Sequence, residues 1–218
     1  MKSIWDNSWF VIPTLLFFNV GLLLAYYLPY GNEILYLNTL RREPFSSIFQ
    51  FITRLGEAYA FFAFGIAALF WRYRYAVLIA LAGLVTILAA YFVKESFGTD
   101  RPITYFRNQN MEDALVTVPG VILNAGQTSF PSGHTMAAFA LYSLLALFVG
   151  QAHRRWGLAL ALLAALVGVS RVFLAQHFLA DVLAGAALGL LVGWAVWRLD
   201  QTPFFQEKRF LDGRIKVG

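Results

Sequence analysis

Hydrophobic residues in this chain occur in long runs separated by short polar stretches. The run Trp9–Leu28 is long enough to cross a hydrocarbon core of roughly 30 Å as a helix rising about 1.5 Å per residue. Further runs follow at Glu57–Trp71, Tyr75–Val93, Ser132–Gly150, Trp156–Leu174 and Phe178–Trp197. The pattern predicts six transmembrane helices, of which Glu57–Trp71 is the shortest.

The segment between the first two spans, Pro29–Gly56, mixes polar and apolar residues. Phe45, Phe49 and Ile52 recur at helical spacing with polar residues opposite them, and Pro44 suits the start of a helix. We interpret this segment as containing a short helix in the membrane interface, although a packed extramembrane helix fits the same periodicity. The expected fold is therefore all-α, a six-transmembrane helical bundle with a short interfacial helix.

Composition supports a membrane protein. Hydrophobic residues make up 59% of the 218 residues and charged residues only 13%, against about 25% charged in an ordinary soluble domain. We expect one integral membrane domain, residues 1–218, with a polar tail at 198–218. Trp5, Trp9, Tyr26 and Tyr27 are placed like an aromatic belt around an uncleaved first span.

Charge and cysteine content narrow the possible partners. The net charge of +5 is modest, and the basic residues concentrate in short loops and the tail. That distribution fits anionic lipid headgroups, so we expect membrane lipids and no nucleic acid as partners. The chain has no cysteine, which excludes disulfides and thiolate metal sites. We expect no metal and no cofactor, and the oligomeric state stays open.

An even number of spans places both termini on one side of the membrane. Ten of the 17 Lys and Arg residues then lie with the termini and seven on the other face. The positive-inside rule puts the termini in the cytoplasm. The end of span three, the start of span four and the junction of spans five and six then meet on the outer face. A bacterial inner membrane with a periplasmic site is the expected location.

Three stretches at that depth carry unusual polar residues. In Ser170–Asp181, His177 and Asp181 are four residues apart, which lets them share one helical face, and Arg171 is a forked cation suited to phosphate. Lys94 and Arg101 are seven apart, so one helical face could present both, although lysines at helix ends often only snorkel to headgroups.

The third stretch opens span four. Ser132 suits a helix N-cap, Gly133 permits close backbone approach, and His134 at a helix start could protonate a leaving oxygen. A plain cap with a solvated histidine is the simpler reading of these residues alone. Together the three stretches offer three cations, two histidines, one carboxylate and a helix N-terminus. This inventory suits phosphoryl transfer, whose transition state spreads negative charge over three oxygens.

The motifs carry a family resemblance. They are Lys94-x6-Arg101-Pro102, Pro131-Ser132-Gly133-His134 and Ser170-Arg171-x5-His177-x3-Asp181. They match, without a substitution, the three-part signature of the type 2 phosphatidic acid phosphatase superfamily, and the chain resembles that family.

The resemblance implies a role for each motif residue. His177 is implied to be a nucleophile that forms a phosphohistidine, Asp181 its orienting partner, and His134 the acid for the leaving group and then the base for water. Five residues are implied to form the phosphate cradle: Lys94, Arg101, Ser132, Gly133 and Arg171. The resemblance also implies catalysis without a metal.

The resulting hypothesis is a lipid phosphatase acting on a terminal phosphate monoester or diphosphate. Undecaprenyl diphosphate, phosphatidylglycerol phosphate, phosphatidic acid and lipid A phosphates are all candidate substrates. The alternative is a phosphotransferase that passes the phosphate to an acceptor other than water. The soluble vanadate-binding haloperoxidases share the signature, but six spans argue against them. A transporter would need polar groups on both sides of the midplane, and the spans offer almost none.

Overall fold

The computed structural model describes residues 7–150 and 153–216, and all regular structure in this part is helical. The α-helices are α1 (Ser8–Tyr27), α2 (Asn32–Leu35), α3 (Phe45–Arg54), α4 (Ala58–Trp71), α5 (Tyr73–Phe97), α6 (Pro102–Asn108), α7 (Gly133–Val149), α8 (Trp156–Phe173), α9 (Leu179–Asp200) and α10 (Pro203–Gln206). Short 3₁₀ helices lie at Asn38–Leu40, Glu112–Ala114 and Arg209–Asp212. The prediction of an all-α chain is confirmed.

The number of membrane spans is smaller by length and composition than the sequence predicted. Four helical segments are long and apolar enough to cross a membrane: α1, the Tyr73–Asn108 stretch that contains α5, α8 and α9. The pair α3 and α4 qualifies as a fifth span only if its 55° bend is accepted, and α7 is apolar but has 17 residues. The count of six is not confirmed.

The predicted interfacial helix exists as α3, but its place in the interface is not confirmed. It packs against α8, where the Phe49 and Phe173 rings stack with centroids 4.2 Å apart. In its last turn, Thr53 contacts Arg171 at the end of α8. Trp5, which we assigned to the aromatic belt, and Lys2 lie outside the described residues.

Helix α7 is the centre of the bundle. It packs against α5, α8 and α9, while α1 covers α8 and α4 covers α5. Most α7 side chains are buried, including Met136, Phe139 and Tyr142. Because three helices pack around α7, its side chains are shielded from lipid, whereas α1 and α4 are also apolar but leave large residues such as Leu16 and Phe62 exposed.

A stripe of small residues brings α9 against α7. Gly185, Gly189 and Gly193 recur at four-residue spacing and lie on α7 backbone or small side chains. A Cβ added at Gly185 would come within 2.5 Å of the Ser132 carbonyl oxygen, and one at Gly189 would collide with the Met136 carbonyl oxygen. Small residues allow such close helix contact in membranes. The stripe therefore holds the start of α7 beside the start of α9.

Buried arginines fasten the segments outside the bundle. The Arg41 guanidinium donates to the carbonyl oxygens of Phe173 at 2.7 Å, Ile34 at 3.0 Å and Val116 at 3.0 Å. It thereby ties the end of α8 to the chain that follows α1. Burial lowers the pKa of Arg41 to about 10, which still leaves it charged at neutral pH.

The polar tail folds back onto the bundle. Arg74, buried near the start of α5, donates to Asp200 at 2.9 Å, to Asp212 at 3.0 Å and to the Phe205 carbonyl oxygen at 3.0 Å. These bonds satisfy a buried guanidinium with groups from both α9 and the tail. The hydrogen bond to Arg74 also lowers the pKa of Asp212.

We expect Gly189→Ala to destabilise the protein, because the new methyl group would collide with the Met136 carbonyl oxygen. Overpacking of this kind costs about 1–3 kcal/mol. Gly65→Ala in α4 is the matched control, since a Cβ there has Ile79 at 3.8 Å as its nearest neighbour. Thermal unfolding in detergent should show a lower Tm for Gly189→Ala and an unchanged or higher Tm for Gly65→Ala. Equal effects of both substitutions would contradict this account of the α7–α9 contact.

Candidate active site

The chain between α8 and α9 presents His177. Helix α8 ends at Phe173, and Ala175 adopts a left-handed conformation with φ 51°. The amide groups of Gln176 and His177 both donate hydrogen bonds to the Arg171 carbonyl oxygen, at 2.9 and 3.3 Å. Helix α9 begins only at Leu179. The expectation that His177 and Asp181 share a helical turn is therefore wrong, because His177 precedes the helix.

Asp181 reaches back to His177 from the first turn of α9. Its Oδ2 accepts hydrogen bonds from the Phe178 amide at 2.9 Å and the Ser129 hydroxyl at 2.6 Å. The His177 Nδ1 lies 3.5 Å from the same oxygen and makes no well-aligned hydrogen bond within the described residues. Catalytic hydrogen bonds are often long without substrate and tighten in its complex. The carboxylate is held in place and faces the imidazole.

The other nitrogen of His177 faces the cations. Its Nε2 lies 3.3 Å from Arg101 Nη1, and Arg101 also donates to the Gln176 carbonyl oxygen at 3.0 Å. If Nδ1 carries the proton toward Asp181, Nε2 keeps its lone pair on the side of the guanidinium. In this tautomer Nε2 carries the lone pair that a nucleophilic imidazole would use.

Lys94 and Arg101 converge by a route that the sequence did not predict. Helix α5 ends at Phe97, and Gly98, with φ 53°, turns the chain before Arg101. The two cations therefore do not share a helical face, and that expectation is wrong. Both instead contact Thr128: Lys94 Nζ donates to its carbonyl oxygen at 3.0 Å, and Arg101 Nε to its hydroxyl at 3.4 Å.

Arg171 lies in the last turn of α8 and is buried. Its Nη1 donates to the hydroxyl of Thr53 at 2.6 Å. Thr53 lies in the last turn of α3. Its Nε finds no hydrogen-bond partner within the described residues. A buried guanidinium with an unsatisfied donor has capacity left for an anion.

The start of α7 meets the start of α9. Ser132 lies at the N-cap of α7, and its amide donates to the Asp181 carbonyl oxygen at 3.0 Å. Its hydroxyl contacts the Thr135 hydroxyl at 2.8 Å instead of capping the helix. Apart from its chain neighbours and the backbone of its own helix, no heavy atom of the described residues lies within 4 Å of a Cβ added at Gly133, so the space in front of this turn is open.

His134 completes the cluster. Its imidazole lies within electrostatic range of His177 and of the three cations, Arg171, Lys94 and Arg101. Its Nε2 is 3.4 Å from Glu57 Oε1. The structure thus brings all eight of the predicted site residues into one region, although they come from three separate stretches of the chain.

Burial and charge favour the neutral form of His177. Burial lowers its pKa well below the ordinary value, and the neighbouring Arg101, Arg171 and Lys94 lower it further. The imidazole is then unprotonated at neutral pH. A neutral imidazole is the form that can attack phosphorus.

Two cavities open next to this cluster. One, of about 230 Å³, is lined by polar side chains that include Gln50, Thr53, Asn124 and Arg171. The other, of about 790 Å³, is an apolar groove between α4 and α5 that reaches Gly133. His134 and Glu57 line both cavities. They therefore stand where the polar space passes into the apolar one.

Several contacts of the cluster were missed by sequence reasoning. Ser129 donates a hydrogen bond to Asp181. Thr128 accepts hydrogen bonds from Lys94 and Arg101, and Gln176 accepts one from Arg101. These residues sit next to the motifs, so proximity was a signal for them. Thr53 and Glu57 come from α3 and the start of α4, far from any motif in the sequence, and nothing local marked them.

One protein-family model matches this sequence. The family model described as the PAP2 superfamily matches residues 71–204, a segment that contains every residue of the three motifs. The chain belongs to the PAP2 superfamily. This match confirms the resemblance drawn from the motifs.

Similar proteins of this superfamily include lipid phosphatases. The chain is 35% identical over 112 residues to phosphatidylglycerophosphatase B of Bacillus subtilis, which covers 48% of this chain and 55% of that protein. It is 37% identical over 97 residues to lipid A 1-phosphatase of Porphyromonas gingivalis, covering 38% and 22%. The matched segment thus spans about half or less of each relative.

A solved membrane structure shares the fold. The crystal structure of a transmembrane PAP2-type phosphatidylglycerolphosphate phosphatase from Bacillus subtilis superposes with a TM-score of 0.60 and 25% identity. The superposition covers 90% of this chain and 99% of that one. Together with its apolar helices, this likeness shows that the chain is an integral membrane protein.

The depressed pKa of His177 predicts a pH dependence of stability. Below about pH 6.5 the unfolded chain binds a proton at this histidine that the native protein does not, so stability falls as the pH falls. Thermal unfolding at pH 7.5 and pH 5 should show a larger loss of Tm for the wild type than for His177→Gln, which lacks the titrating group. An equal loss in both proteins would contradict a buried neutral His177.

Proposed function

We propose that this protein is a membrane phosphatase that hydrolyses the terminal phosphate monoester or diphosphate of a lipid through a phosphohistidine. The observation that carries the proposal is the environment of His177. The imidazole is buried between Asp181, 3.5 Å from Nδ1, and Arg101, 3.3 Å from Nε2. It shares this region with a second imidazole, His134.

The proposed reaction has two steps. In the first, His177 Nε2 attacks phosphorus while the bond to the lipid oxygen breaks, and His134 gives its proton to that oxygen. In the second, His134 takes a proton from water, the water oxygen attacks phosphorus, and the N–P bond to His177 breaks. Asp181 remains ionised and stabilises the imidazole as it gains positive character. Free phosphate and the dephosphorylated lipid are the products.

Fixed cations supply the charge stabilisation in this proposal. Arg101, Arg171 and Lys94 surround His177 closely enough to influence its ionisation. The first amides of α7, at Ser132 and Gly133, add a helix N-terminus. Cations and amide donors of this kind stabilise the three equatorial oxygens of the transition state. We therefore propose that the reaction needs no metal.

The apolar groove supports a lipid substrate. It is about 790 Å³ in volume, lies between α4 and α5, and ends at Gly133 and His134. A hydrocarbon chain in the groove would leave its phosphate at the polar cluster. Because lipid already surrounds that chain, the groove would contribute by its shape and by positioning the phosphate, and not by removing CH₂ groups from water.

The setting in the membrane is also part of the proposal. We propose six spans that include the bent α3–α4 pair and the short α7, and the positive-inside rule would then put the termini in the cytoplasm and the site on the outer, periplasmic face of a bacterial inner membrane. Candidate substrates are undecaprenyl diphosphate, phosphatidylglycerol phosphate, phosphatidic acid and lipid A phosphates. Relatives named as a phosphatidylglycerophosphatase, a lipid A phosphatase and an undecaprenyl-diphosphatase support the first, second and fourth of these alike. Incorporation of oxygen from labelled water into free phosphate would distinguish hydrolysis from phosphotransfer.

A phosphate-release screen of the purified protein over these lipids tests the activity. The wild type should release phosphate from at least one lipid, with or without a chelator. His177→Ala should lower the rate by about 10⁴-fold or more, because the nucleophile is lost. His153→Ala, at an exposed histidine in the α7–α8 connection, is the matched control and should be fully active. Turnover retained in His177→Ala would contradict the assignment of His177 as the nucleophile. Activity lost with a chelator and restored by one metal would contradict a metal-free reaction.

The role of the groove is tested by filling it. Ala80→Phe, in the groove wall on α5, should lower kcat/KM at least about tenfold for a long-chain lipid phosphate, equivalent to about 1.4 kcal/mol of lost binding. A short-chain analogue with the same headgroup should be hydrolysed as by the wild type. The control Ala159→Phe places the same bulk on an exposed position of α8 and should change neither. Equal losses with both chain lengths would show that the groove does not hold the chain.

A further inference from the structure

Glu57 faces the site although it belongs to none of the three motifs. It occupies the N-cap of α4, but its carboxylate makes no capping hydrogen bond to that helix. Its Oε1 lies 3.4 Å from His134 Nε2, and both side chains are about one third exposed. Within the described residues, His134 is the ion-pair partner recorded for this carboxylate.

The position of Glu57 is held by the backbone around it. A Cβ added at the preceding residue, Gly56, would lie 2.7 Å from the His134 carbonyl oxygen, so only glycine allows this approach. The Tyr142 hydroxyl donates to the Leu55 carbonyl oxygen at 3.0 Å. Two contacts with α7 therefore lock the α3–α4 junction beside the helix that carries His134. The pairing of Glu57 with His134 is built into the fold.

The positive groups around His134 disfavour its protonated form. Arg171, Lys94, Arg101 and His177 all lie within electrostatic range of the His134 imidazole. Each of these groups is positive or can become so, and each opposes a positive charge on His134. A proton donor at this position therefore needs a nearby anion. The Glu57 carboxylate, with Oε1 3.4 Å from His134 Nε2, is in position to supply that anion.

The two cavities suggest a place for the leaving oxygen. With a phosphate in the polar cavity beside Arg171 and a hydrocarbon chain in the groove, the oxygen that joins them would lie where the two cavities meet. Glu57 and His134 line both cavities, and so stand at this junction. A proton delivered here would reach the oxygen that leaves.

We propose that Glu57 is a positioning residue that orients the His134 imidazole and stabilises its protonated form for transfer to the leaving oxygen. The inference rests on the proposed lipid phosphatase function. His134 Nε2–H donates to the Glu57 carboxylate, and the other ring nitrogen gives its proton to the lipid oxygen as that oxygen leaves phosphorus and His177 bonds to it. His134 later regains the proton from the attacking water. Glu57 accepts the Nε2–H hydrogen bond throughout and acts through His134.

Two substrates of matched chain length test this role. Hydrolysis of dodecyl phosphate expels an alkoxide, which needs a proton from the enzyme. Hydrolysis of 4-dodecyl-2-nitrophenyl phosphate expels a stable phenolate, which does not. A placed acid contributes about 10²–10⁴-fold, so losing its partner in Glu57→Gln should lower kcat/KM for dodecyl phosphate about 10–100-fold. For the nitrophenyl ester the loss should stay within about threefold, because proton donation contributes little there. Glu57→Asp keeps the charge and should recover part of the lost rate.

The controls separate a positioning role from a structural one. Glu95→Gln removes an exposed carboxylate one residue from Lys94 and should leave both rates and their ratio unchanged. Thermal unfolding of each variant verifies that it is folded, and Glu57→Asp serves if Glu57→Gln is not. Equal losses on both substrates, or no loss on either, would overturn the inference while leaving the phosphatase function intact. A wild-type protein that cleaves neither ester would instead overturn the proposed function, and the inference with it.

Discussion

The geometry of this site depends on one residue, Asp181, because it connects the stretch before α7 with the turn between α8 and α9. Its side chain accepts from Ser129 and from the Phe178 amide, and faces His177. Its backbone carbonyl oxygen accepts from the Ser132 amide. A carboxylate buried at this depth would be costly without such partners. The same bonds that offset its burial align the chain around the nucleophile proposed here.

That alignment requires α7 and α9 to run in close contact. The glycine stripe on α9 meets the α7 backbone, and α7 is enclosed by α5, α8 and α9. Lipid provides no hydrophobic drive for helix association, so close packing of this kind must hold the bundle together. Rigid packing at the centre then fixes the helix ends, and the polar side chains of the site all lie at those ends.

The α3–α4 junction extends the site beyond the family signature. Thr53 holds the Arg171 guanidinium, and Glu57, four residues later, meets His134. One short bend thus contacts both a cradle cation and the proposed proton donor. The bend also separates a polar cavity from the apolar groove between α4 and α5. Headgroup and hydrocarbon chain would part at this point, which relates the shape of the fold to the chemistry proposed for it.

The amino-acid sequence by itself determined where the long helices lie and which residues are candidates for the site. The apolar runs predicted the long helices to within a few residues, since local hydrophobicity and length decide where a helix can be buried in lipid. The motif spacing identified His134, His177, Asp181 and the cations. The sequence misplaced Lys94 with Arg101, and His177 with Asp181, on helical faces, because a left-handed turn at Gly98 and the end of α8 interrupt the helices there.

Only the tertiary structure decided which side chains meet. Three of the contacts join residues that are 27 to 118 positions apart in the sequence, those of Thr53, Glu57 and Thr128. No pattern among neighbouring residues encodes contacts over such sequence separations. The number of spans likewise depends on how α3, α4 and α7 pack, and not on their hydropathy alone. Hydrophobic periodicity and motif spacing are properties of neighbouring residues, whereas a site for phosphate is a property of helix ends brought together by packing.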